Sequence, residues 1–293
     1  LPSRGCKGAT GTQASYLELF KGDHQKVKEL DRRVAGAFDF ERTVPVTGQT
    51  YSRKLDFQIL SALSGVAQSA AKCATDVRLL QHEGEILEPF EIDQVGSSAM
   101  PYKRNPMRSE RVCALARYTI SLAENPAYTA ATQWLERTLD DSANRRLVLA
   151  DAFLSADATL VFLNNICSGL EVKEGTIRRN VGLAMPFMAT ERWLMLGVAT
   201  GGDRQELHEI IRKHSLAVMA ALENGAENDL VERLASDPAF SNIDTDALTQ
   251  ELSPERYVGR SAEQVQEFVD EWLDPLMGKL ERFRTPDEAS VTV

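Results

Sequence analysis

The amino-acid sequence predicts an all-α protein in which a bundle of long helices is followed by a smaller helical domain. Apolar residues recur at steps of three and four along residues 52–81, 107–122 and 143–168. This spacing is typical of helices that bury one face. Beyond the third segment the helical patterns become short, with acidic or glycine-containing loops between them. We therefore expect a central helical-bundle domain at 1–172, of the L-aspartase/fumarase type introduced below, and a C-terminal helical domain at 173–293.

The first fifty residues predict loops and short helices. Residues 1–15 are rich in glycine, threonine and serine, and such a loop could cradle an anion, although it lacks the full P-loop pattern. Helices are expected at 16–20 and 23–37, followed by a short extended piece at 38–46 and a turn at 47–50.

The segment 52–81 predicts the longest helix. At ~1.5 Å per residue it would form a rod of roughly 45 Å. Several of its packing positions are small, which allows neighbouring helices to approach closely. These positions are Ala62, Gly65, Ala67, Ala70, Ala71 and Ala74.

Boundary signals delimit the next two long helices. The helix at 107–122 is expected to end near Asn125 and Pro126, because the residue before a proline disfavours helical backbone. Residues 138–142 (TLDDS) form an N-cap signature, and Gly169 predicts the end of the third helix. The C-terminal domain is expected to contain helices at 176–181, 189–199, 204–222, 228–235 and 262–284.

Composition and charge exclude several function classes. The chain has 293 residues, 43% hydrophobic and 26% charged, which is typical of a globular protein. A formal net charge of −10 argues against general nucleic-acid binding, so an anion site must be a local basic cluster. No uninterrupted apolar run approaches the ~18 residues of a membrane span. We therefore expect neither a nucleic-acid nor a membrane partner.

The cysteines have no metal-binding spacing. Cys6, Cys73, Cys113 and Cys167 lie far apart and form no CxxC or Cys/His pattern. Reduced, buried thiols are expected, and they are typical of a cytoplasmic protein. The chain begins with Leu1 rather than methionine, and we expect that a further segment lies upstream.

The loop at 96–106 (GSSAMPYKRNP) has an anion-handling composition. It combines two hydroxyls, two cations and an amide with two prolines that fix the backbone. A helix N-terminus and Lys103 favour negative charge, which would help Ser97 act as a base towards a proton next to a carboxylate. From composition alone, an ordinary helix connector is an equally good interpretation.

Two arginine clusters could bind anions. Arg108 and Arg111 lie three apart, so they could share a helix face and clamp a carboxylate or phosphate. Arg137, Ser142 and Arg146 could converge at a helix N-terminus as a phosphate seat. Exposed ion pairs and an N-cap explain the same residues without a ligand. The histidines His24, His82, His208 and His214 are expected at the surface.

The loop at 96–106 resembles the signature loop of the fumarase/aspartase superfamily, whose pattern is GSSxMPxKxNP. Four further stretches, in the expected order, resemble the adenylosuccinate lyase family. They are KGATGTQAS at 7–15, TGQTY at 47–51, MRSER at 107–111 and ERTLDDSANRR at 136–146. The resemblance extends from Leu1 to about residue 280.

The resemblance implies a reaction and roles for these residues. Members of the family remove a proton next to a carboxylate of a succinyl group and then expel nitrogen, which releases fumarate. They convert adenylosuccinate into AMP and, in the same pathway of purine biosynthesis, SAICAR into AICAR. Ser97 would be the base, and Lys103 and Asn105 would hold the succinyl carboxylates. The implied substrate-binding residues are Gln49, Ser98, Met100, Arg111, Arg137, Ser142 and Arg146.

The resemblance also implies a homotetramer in which each active site draws on several subunits, and no metal or organic cofactor. The family's general-acid histidine belongs to an N-terminal region whose motifs this sequence does not carry. If the chain begins at Leu1, we expect it to lack lyase activity alone.

Two alternatives remain open at this point. A sister lyase, such as argininosuccinate lyase or a cycloisomerase, shares the fold and the loop. Such enzymes usually differ at Tyr102 or Arg104 and lack the cluster around Arg137 and Arg146, so a substrate panel would separate them. A catalytically silent structural homologue is the second alternative, and the joint presence of Ser97, Lys103 and Asn105 argues against it.

Overall fold

The computed structural model describes residues 1–91, 99–100, 102–135, 137 and 139–283. These residues are mainly helical, with one two-stranded sheet, so the predicted all-α class is confirmed. The chain divides into two compact units, Leu1–Val172 (unit 1) and Lys173–Glu288 (unit 2).

Unit 1 consists of short helices around a core of three long ones. A small antiparallel sheet closes one end, where Ile86 pairs with Val172 and Leu87 with Glu171. The described elements are α1 (Ala14–Leu19), α2 (His24–Gly36), α3 (Lys54–His82), β1 (Ile86–Leu87), α4 (Met107–Leu122), α5 (Asn125–Ala131), α6 (Leu139–Ser168) and β2 (Glu171–Val172).

The long helices α3, α4 and α6 pack directly against one another. Leu60 near the start of α3 packs with Val148 of α6 and Leu122 at the end of α4. Val77 near the end of α3 packs with Val112 of α4 and Ile166 of α6. The helix α4 therefore runs antiparallel to α3, whereas α6 runs parallel to it.

Small side chains make this close packing possible. Ala67, Ala70 and Ala74 of α3 are at most 2% exposed, as the pattern of small residues in this segment predicts. The helix α3 has 29 residues, so its two ends lie about 43 Å apart at ~1.5 Å per residue.

One expected boundary in unit 1 is wrong, and one helix there was not predicted. The helix α6 begins at Leu139 rather than at 143, because Asp140 and Asp141 occupy its first turn, where the helix dipole favours carboxylates. The helix α5 was not expected at all. Its Pro126 lies in the first turn, where a missing N–H costs no helical hydrogen bond.

The extended piece expected at 38–46 is also wrong. The described backbone there forms turns and bends, with one isolated bridge between Thr43 and Ser3. Phe38 and Val46, which make the segment look apolar, are 73% and 86% exposed. A strand needs a neighbour to satisfy its backbone groups, and here Ser3 alone provides one.

The helix α6 is unusually apolar. By length and composition it could cross a membrane, and 28% of its most apolar window is buried. A search for uninterrupted apolar runs does not detect this helix, because isolated polar residues interrupt it. One side of α6 forms the core with α3 and α4, while Leu147, Leu154 and Leu160 remain 68%, 69% and 46% exposed.

Unit 2 is a compact group of shorter helices around Trp193. This side chain is fully buried, and its indole N–H donates to the carbonyl oxygen of Leu248 at 2.9 Å. The α-helices are α7 (Glu174–Met188), α8 (Thr190–Ala199), α9 (Arg204–Glu223), α10 (Leu230–Ala235), α11 (Thr245–Gln250), α12 (Ser261–Phe268) and α13 (Asp274–Leu280).

Two segments of unit 2 that contain proline differ from expectation. The helix α7 continues past the expected end at 181 and holds Pro186 inside it, although proline removes a hydrogen bond there. The single helix expected at 262–284 is interrupted by a π-helical turn, Val269–Leu273. This turn comes just before Pro275, which cannot donate to a regular helix.

Candidate active site

The signature loop leads directly into α4. Gly96, Ser97, Ser98 and Pro101 lie outside the described residues. Within the described part, the backbone N–H of Lys103 donates to the carbonyl oxygen of Met100 at 2.9 Å. Met100 and Lys103 are exposed and Asn105 is half-buried.

A buried carboxylate ties the beginning of α4 to the segment before the loop. Glu88 is 3% exposed. Its carboxylate accepts the backbone N–H of Arg108 at 2.8 Å, and both the N–H and the hydroxyl of Ser109 at 3.0 Å. Gln81 joins the same network, because its side chain accepts from the N–H of Glu88 at 3.0 Å and donates to the carbonyl oxygen of Arg104 at 3.2 Å.

The expectation that Arg108 and Arg111 share an anion clamp is wrong. Arg108 is fully buried; it donates to the carbonyl oxygen of Pro89 and lies 2.7 Å from the carboxylate of Glu91. Arg111 points elsewhere, with its guanidinium carbon 5.6 Å from the centre of the Phe162 ring. Arg111 therefore remains an exposed candidate, whereas Arg108 is part of the protein interior.

The turn that carries Gln49 is held by the N-terminal loop. The hydroxyl of Thr47 donates to the carbonyl oxygen of Thr50 at 2.5 Å. Arg4 donates to the carbonyl oxygens of Gly8 and Gly48 at 2.7 and 2.9 Å, which joins the two segments. The close approach requires glycine at position 11, because a Cβ there would lie 1.9 Å from the carbonyl oxygen of Thr47.

A buried ion pair connects the region after this turn to the first turn of α6. The guanidinium of Arg53 contacts the Asp141 carboxylate at 2.7 and 2.8 Å, and the two side chains are 5% and 2% exposed. The second oxygen of Asp141 accepts from Arg137 at 3.3 Å. Among the described residues the Nε of Arg137 has no hydrogen-bond partner and is shielded from solvent, whereas its side chain as a whole is 24% exposed.

Ser142 and Arg146 lie on α6 just beyond Asp141. Ser142 is half-buried and Arg146 is exposed, and among the described residues Arg146 forms no ion pair. Because α6 begins at Leu139, Ser142 lies inside the helix rather than at its cap. The expected N-cap role of Ser142 is therefore wrong, while its spacing to Arg146 remains that of helical neighbours.

A second network next to these residues involves Tyr51. Its hydroxyl donates to Asp56 and accepts from Arg145, both at 2.6 Å, and Arg145 also contacts Asp56 at 3.1 Å. Burial raises the pKa of the Tyr51 phenol, and its hydrogen bond to Asp56 raises it further. The phenol therefore stays protonated and keeps donating.

The sequence analysis missed Arg53, Asp56, Glu88 and Gln81. Asp141 and Arg145 belong to the ERTLDDSANRR stretch, but their partners Arg53 and Asp56 lie 88 and 89 residues away in the chain. No local spacing indicates contacts over such distances. Only the burial of these charged side chains marks them, and burial is a property of the folded structure.

The predicted site residues fall into two groups at opposite ends of α3. Lys103, Asn105 and Arg111 belong to the end where Gln81 contacts Arg104; we call this the loop end. Gln49, Arg137, Ser142 and Arg146 surround Arg53, just before α3 begins; we call this the arginine end. The two ends lie about 43 Å apart along α3, so one small molecule cannot contact both groups of a single chain.

Each end carries basic side chains alongside carboxylates. Lys103, Arg104 and Arg111 lie at the loop end, and Arg137, Arg145 and Arg146 lie at the arginine end. Three of these arginines pair with carboxylates: Arg104 with Glu171, Arg137 with Asp141 and Arg145 with Asp56. Among the residues that the structure describes, no group of three or more His, Cys, Asp or Glu side chains could hold a metal ion.

Two family models match separate parts of the chain. The model described as "Lyase" matches residues 12–119, and the model described as "Adenylosuccinate lyase C-terminus" matches residues 186–268. The first match includes the loop end, and the second lies within unit 2.

Curated relatives match almost the whole chain. Adenylosuccinate lyase from Saccharomyces cerevisiae is 48% identical over 291 residues, which are 99% of this chain and 60% of the relative. The Schistosoma mansoni enzyme is 48% identical over 93% of this chain and 57% of its own length. The Pyrococcus horikoshii enzyme is 34% identical over 90% and 56%. The chain thus spans about 60% of the length of these relatives.

Solved structures share the fold. The 3-carboxy-cis,cis-muconate lactonizing enzyme from Pseudomonas putida superposes with a TM-score of 0.75 at 23% identity, over 91% of this chain and 57% of its own. Fumarate lyase from Mesorhizobium sp. BNC1 superposes with a TM-score of 0.71 at 22% identity, over 89% and 55%. At these identities the likeness concerns the bundle architecture alone.

The Arg53–Asp141 pair gives a stability prediction. Asp141→Asn removes the counter-charge of a buried arginine, so we expect unfolding to become easier by about 3–5 kcal/mol. The matched control is Asp140→Asn, an exposed neighbour in the same turn, which should cost less than about 1 kcal/mol. Chemical denaturation of the two variants measures the difference, and equal losses would contradict the account of a buried pair.

Proposed function

The chain belongs to the adenylosuccinate lyase family, and from this premise we propose that the protein releases fumarate from adenylosuccinate, giving AMP, and from SAICAR, giving AICAR. The observation that carries the proposal is 48% identity to the yeast enzyme across 99% of this chain, which includes the signature loop. This chain covers 60% of that enzyme's length.

At the loop end, Ser97 takes the role of the base. It removes the proton from the carbon next to a succinyl carboxylate, and negative charge builds on the carboxylate oxygens. Lys103 supplies a cation and Asn105 a hydrogen-bond donor for that charge, which lowers the barrier where charge develops. The C–N bond then breaks, and the departing nitrogen takes a proton from a general acid.

At the arginine end, the nucleotide part of a substrate is bound. Arg137, just before α6, and Arg146, on α6, offer guanidinium donors to a phosphate. Ser142 lies on α6 between these two positions in the chain. The partial exposure of the Arg137 side chain supports this role, because part of its guanidinium remains accessible to a phosphate. Gln49 contacts the substrate from its turn. Arg111, Ser98 and Met100 contribute from the loop end.

Because the two ends are far apart, a complete site requires two or more copies of the chain. We propose the homotetramer that family resemblance implies, with the loop end of one copy facing the arginine end of another. The exposed apolar side chains of α6 and α3 support this assembly, since a second copy would cover them. These residues are Leu147, Leu154, Leu160, Val66 and Leu79.

The family resemblance assigns the general acid to a histidine in the N-terminal portion of the family's members. The proposed reaction needs no metal or organic cofactor, because deprotonation, charge stabilisation and leaving-group protonation are all side-chain chemistry. The proposed compartment is the cytoplasm, and the proposed partners are a nucleotide substrate and further copies of the chain.

Fumarate release tests the function. The protein for this assay is a chimera that carries the N-terminal portion of the Saccharomyces cerevisiae relative ahead of Leu1, compared with the 293-residue chain alone. We expect the chimera to release fumarate from adenylosuccinate and SAICAR but not from argininosuccinate, and the chain alone to release none. A folded chimera that acts on argininosuccinate, or on none of the three, would refute the proposal.

Replacing the proposed base should separate binding from turnover. In the chimera, Ser97→Ala should lower kcat by about 10²–10⁴-fold, which is the usual contribution of a general base, and leave substrate affinity largely intact. Ser121→Ala, at an exposed serine of α4, is the control. A Ser97→Ala variant with wild-type kcat would remove Ser97 from the base role.

Replacing Arg146 should weaken nucleotide binding. If Arg146 pairs with a buried phosphate, Arg146→Ala in the chimera should cost about 2–5 kcal/mol of AMP affinity. Arg212→Ala, which removes an arginine paired with Glu209 on α9, serves as the control and should leave affinity unchanged. Calorimetric titration with AMP measures both. An unchanged AMP affinity of Arg146→Ala would show that Arg146 does not bind the phosphate.

A further inference from the structure

Buried side chains fasten together the two segments that flank the signature loop. The stem clamp, as we call it, consists of Gln81, Glu88, Arg108 and Ser109. All four are at most 8% exposed. They join residues 88–91, before the loop, to residues 104–109, which are the last part of the loop and the first turn of α4, and both segments to the end of α3.

Glu88 performs the function of an N-cap from a distant part of the chain. The position before α4 is Pro106, whose side chain forms no capping hydrogen bond. A local cap would bind the second and third N–H groups of the helix. These groups belong to Arg108 and Ser109, and Glu88 binds both, at 2.8 and 3.0 Å.

Gln81 connects Glu88 to the loop by hydrogen bonds. The Oε1 of its side-chain amide accepts from the backbone N–H of Glu88 at 3.0 Å, and the Nε2 donates to the carbonyl oxygen of Arg104 at 3.2 Å. Arg104 stands between Lys103 and Asn105 in the chain. The two residues proposed to hold the succinyl carboxylates are thus attached to a fixed point of the three-helix core.

Further contacts hold the opposite side of the stem. Arg108 binds the carbonyl oxygen of Pro89. Gly169 leaves room for Pro89, because a Cβ at position 169 would lie 2.6 Å from its Cγ. Arg104 lies over the Phe90 ring at 4.9 Å and 4.0 Å from the carboxylate of Glu171.

The choice of a buried carboxylate needs an explanation beyond stability. Removing a carboxylate from water is costly unless hydrogen bonds compensate, and a serine or aspartate at position 106 would cap α4 without that cost. A local cap, however, would leave the segments on the two sides of the loop unconnected. Glu88 connects them.

We propose that Glu88 is a positioning residue for the reaction: through Ser109, the N–H of Arg108 and Gln81, it fixes Lys103 and Asn105 relative to the bound succinyl group. This inference rests on the proposed lyase function for its kinetic consequence. The clamp itself is a property of the chain that can be measured without turnover.

Hydrogen exchange tests the clamp in the 293-residue chain. Glu88→Gln keeps the shape of the side chain but replaces one acceptor oxygen by an amide that faces N–H donors. We expect the amide protons of Arg108 and Ser109 to exchange about tenfold faster, the size expected for a lost helix cap, with α9 unchanged. Wild-type exchange at both amides, or an equal rise throughout α3 and α6, would overturn the proposal.

A milder variant guards against a general loss of folding. Ser109→Ala removes one of the three hydrogen bonds to Glu88 and leaves its charge in place. A smaller increase of exchange at the same two amides supports the clamp. An increase spread evenly over unit 1 overturns it.

Kinetics of the chimera test the positioning role. Glu88→Gln should lower kcat by about 10–100-fold, because small displacements of groups that stabilise a transition state are costly. KM should stay within about threefold, since the arginine end is untouched. The control is Glu251→Gln in unit 2, which removes a carboxylate equally buried between Arg192 and Arg256 and should keep kcat.

Equal kcat values in the Glu88→Gln and Glu251→Gln chimeras would overturn the positioning role. If the unsubstituted chimera releases no fumarate, the proposed lyase function fails. The exchange rates of Arg108 and Ser109 then decide on the clamp alone, so the two failures are distinguishable.

Discussion

The close packing of α3 against α4 and α6 is the constraint on which the rest of unit 1 depends. Ala67, Ala70 and Ala74 remove side-chain bulk from the contact, and the helices approach as straight rods. A rod of 29 residues keeps its ends about 43 Å apart. Because the signature loop leaves from one end and the arginine cluster from the other, the packing separates the two halves of the proposed chemistry.

Each end is then fixed by buried charges rather than by apolar contacts alone. At the arginine end, Asp141 pairs with both Arg53 and Arg137. At the loop end, Glu88 and Arg108 connect both sides of the loop. Breaking a buried charged contact costs far more than breaking an exposed one, so these networks hold ligand-binding groups in defined positions.

Sequence patterns predicted the long helices because helical spacing is a local property. The bounds of α4 are those expected, and α3 differs by one or two residues at its ends. The misses have local causes too. Pro126 was interpreted as a terminator although it suits a first turn, and the start of α6 was placed after the acidic residues that form its first turn. The π-helical turn at Val269–Leu273 comes just before Pro275, and the helical spacing of apolar residues continues through both, so spacing alone predicted a single helix.

The sequence predicted only those site residues that lie inside its motifs. The loop and the ERTLDDSANRR stretch contain the groups that we propose to touch substrate, whereas Glu88 and Arg53 lie outside both stretches. Their partners are 20 and 88 residues away, and spacing along the chain carries no information about such contacts. The same holds for the division into two ends, which follows from the length of α3 and the direction of α4.

The central claim is that one copy of the chain supplies the loop end of a site and another copy supplies its arginine end. Mixing the Ser97→Ala and Arg146→Ala chimeras, after dissociation and reassembly into mixed oligomers, tests it most directly. If the claim holds, fumarate release returns to as much as about one quarter of wild type, because random assembly gives that share of sites both intact groups. If mixed oligomers form and stay inactive, both groups of a site come from one chain and the account is wrong.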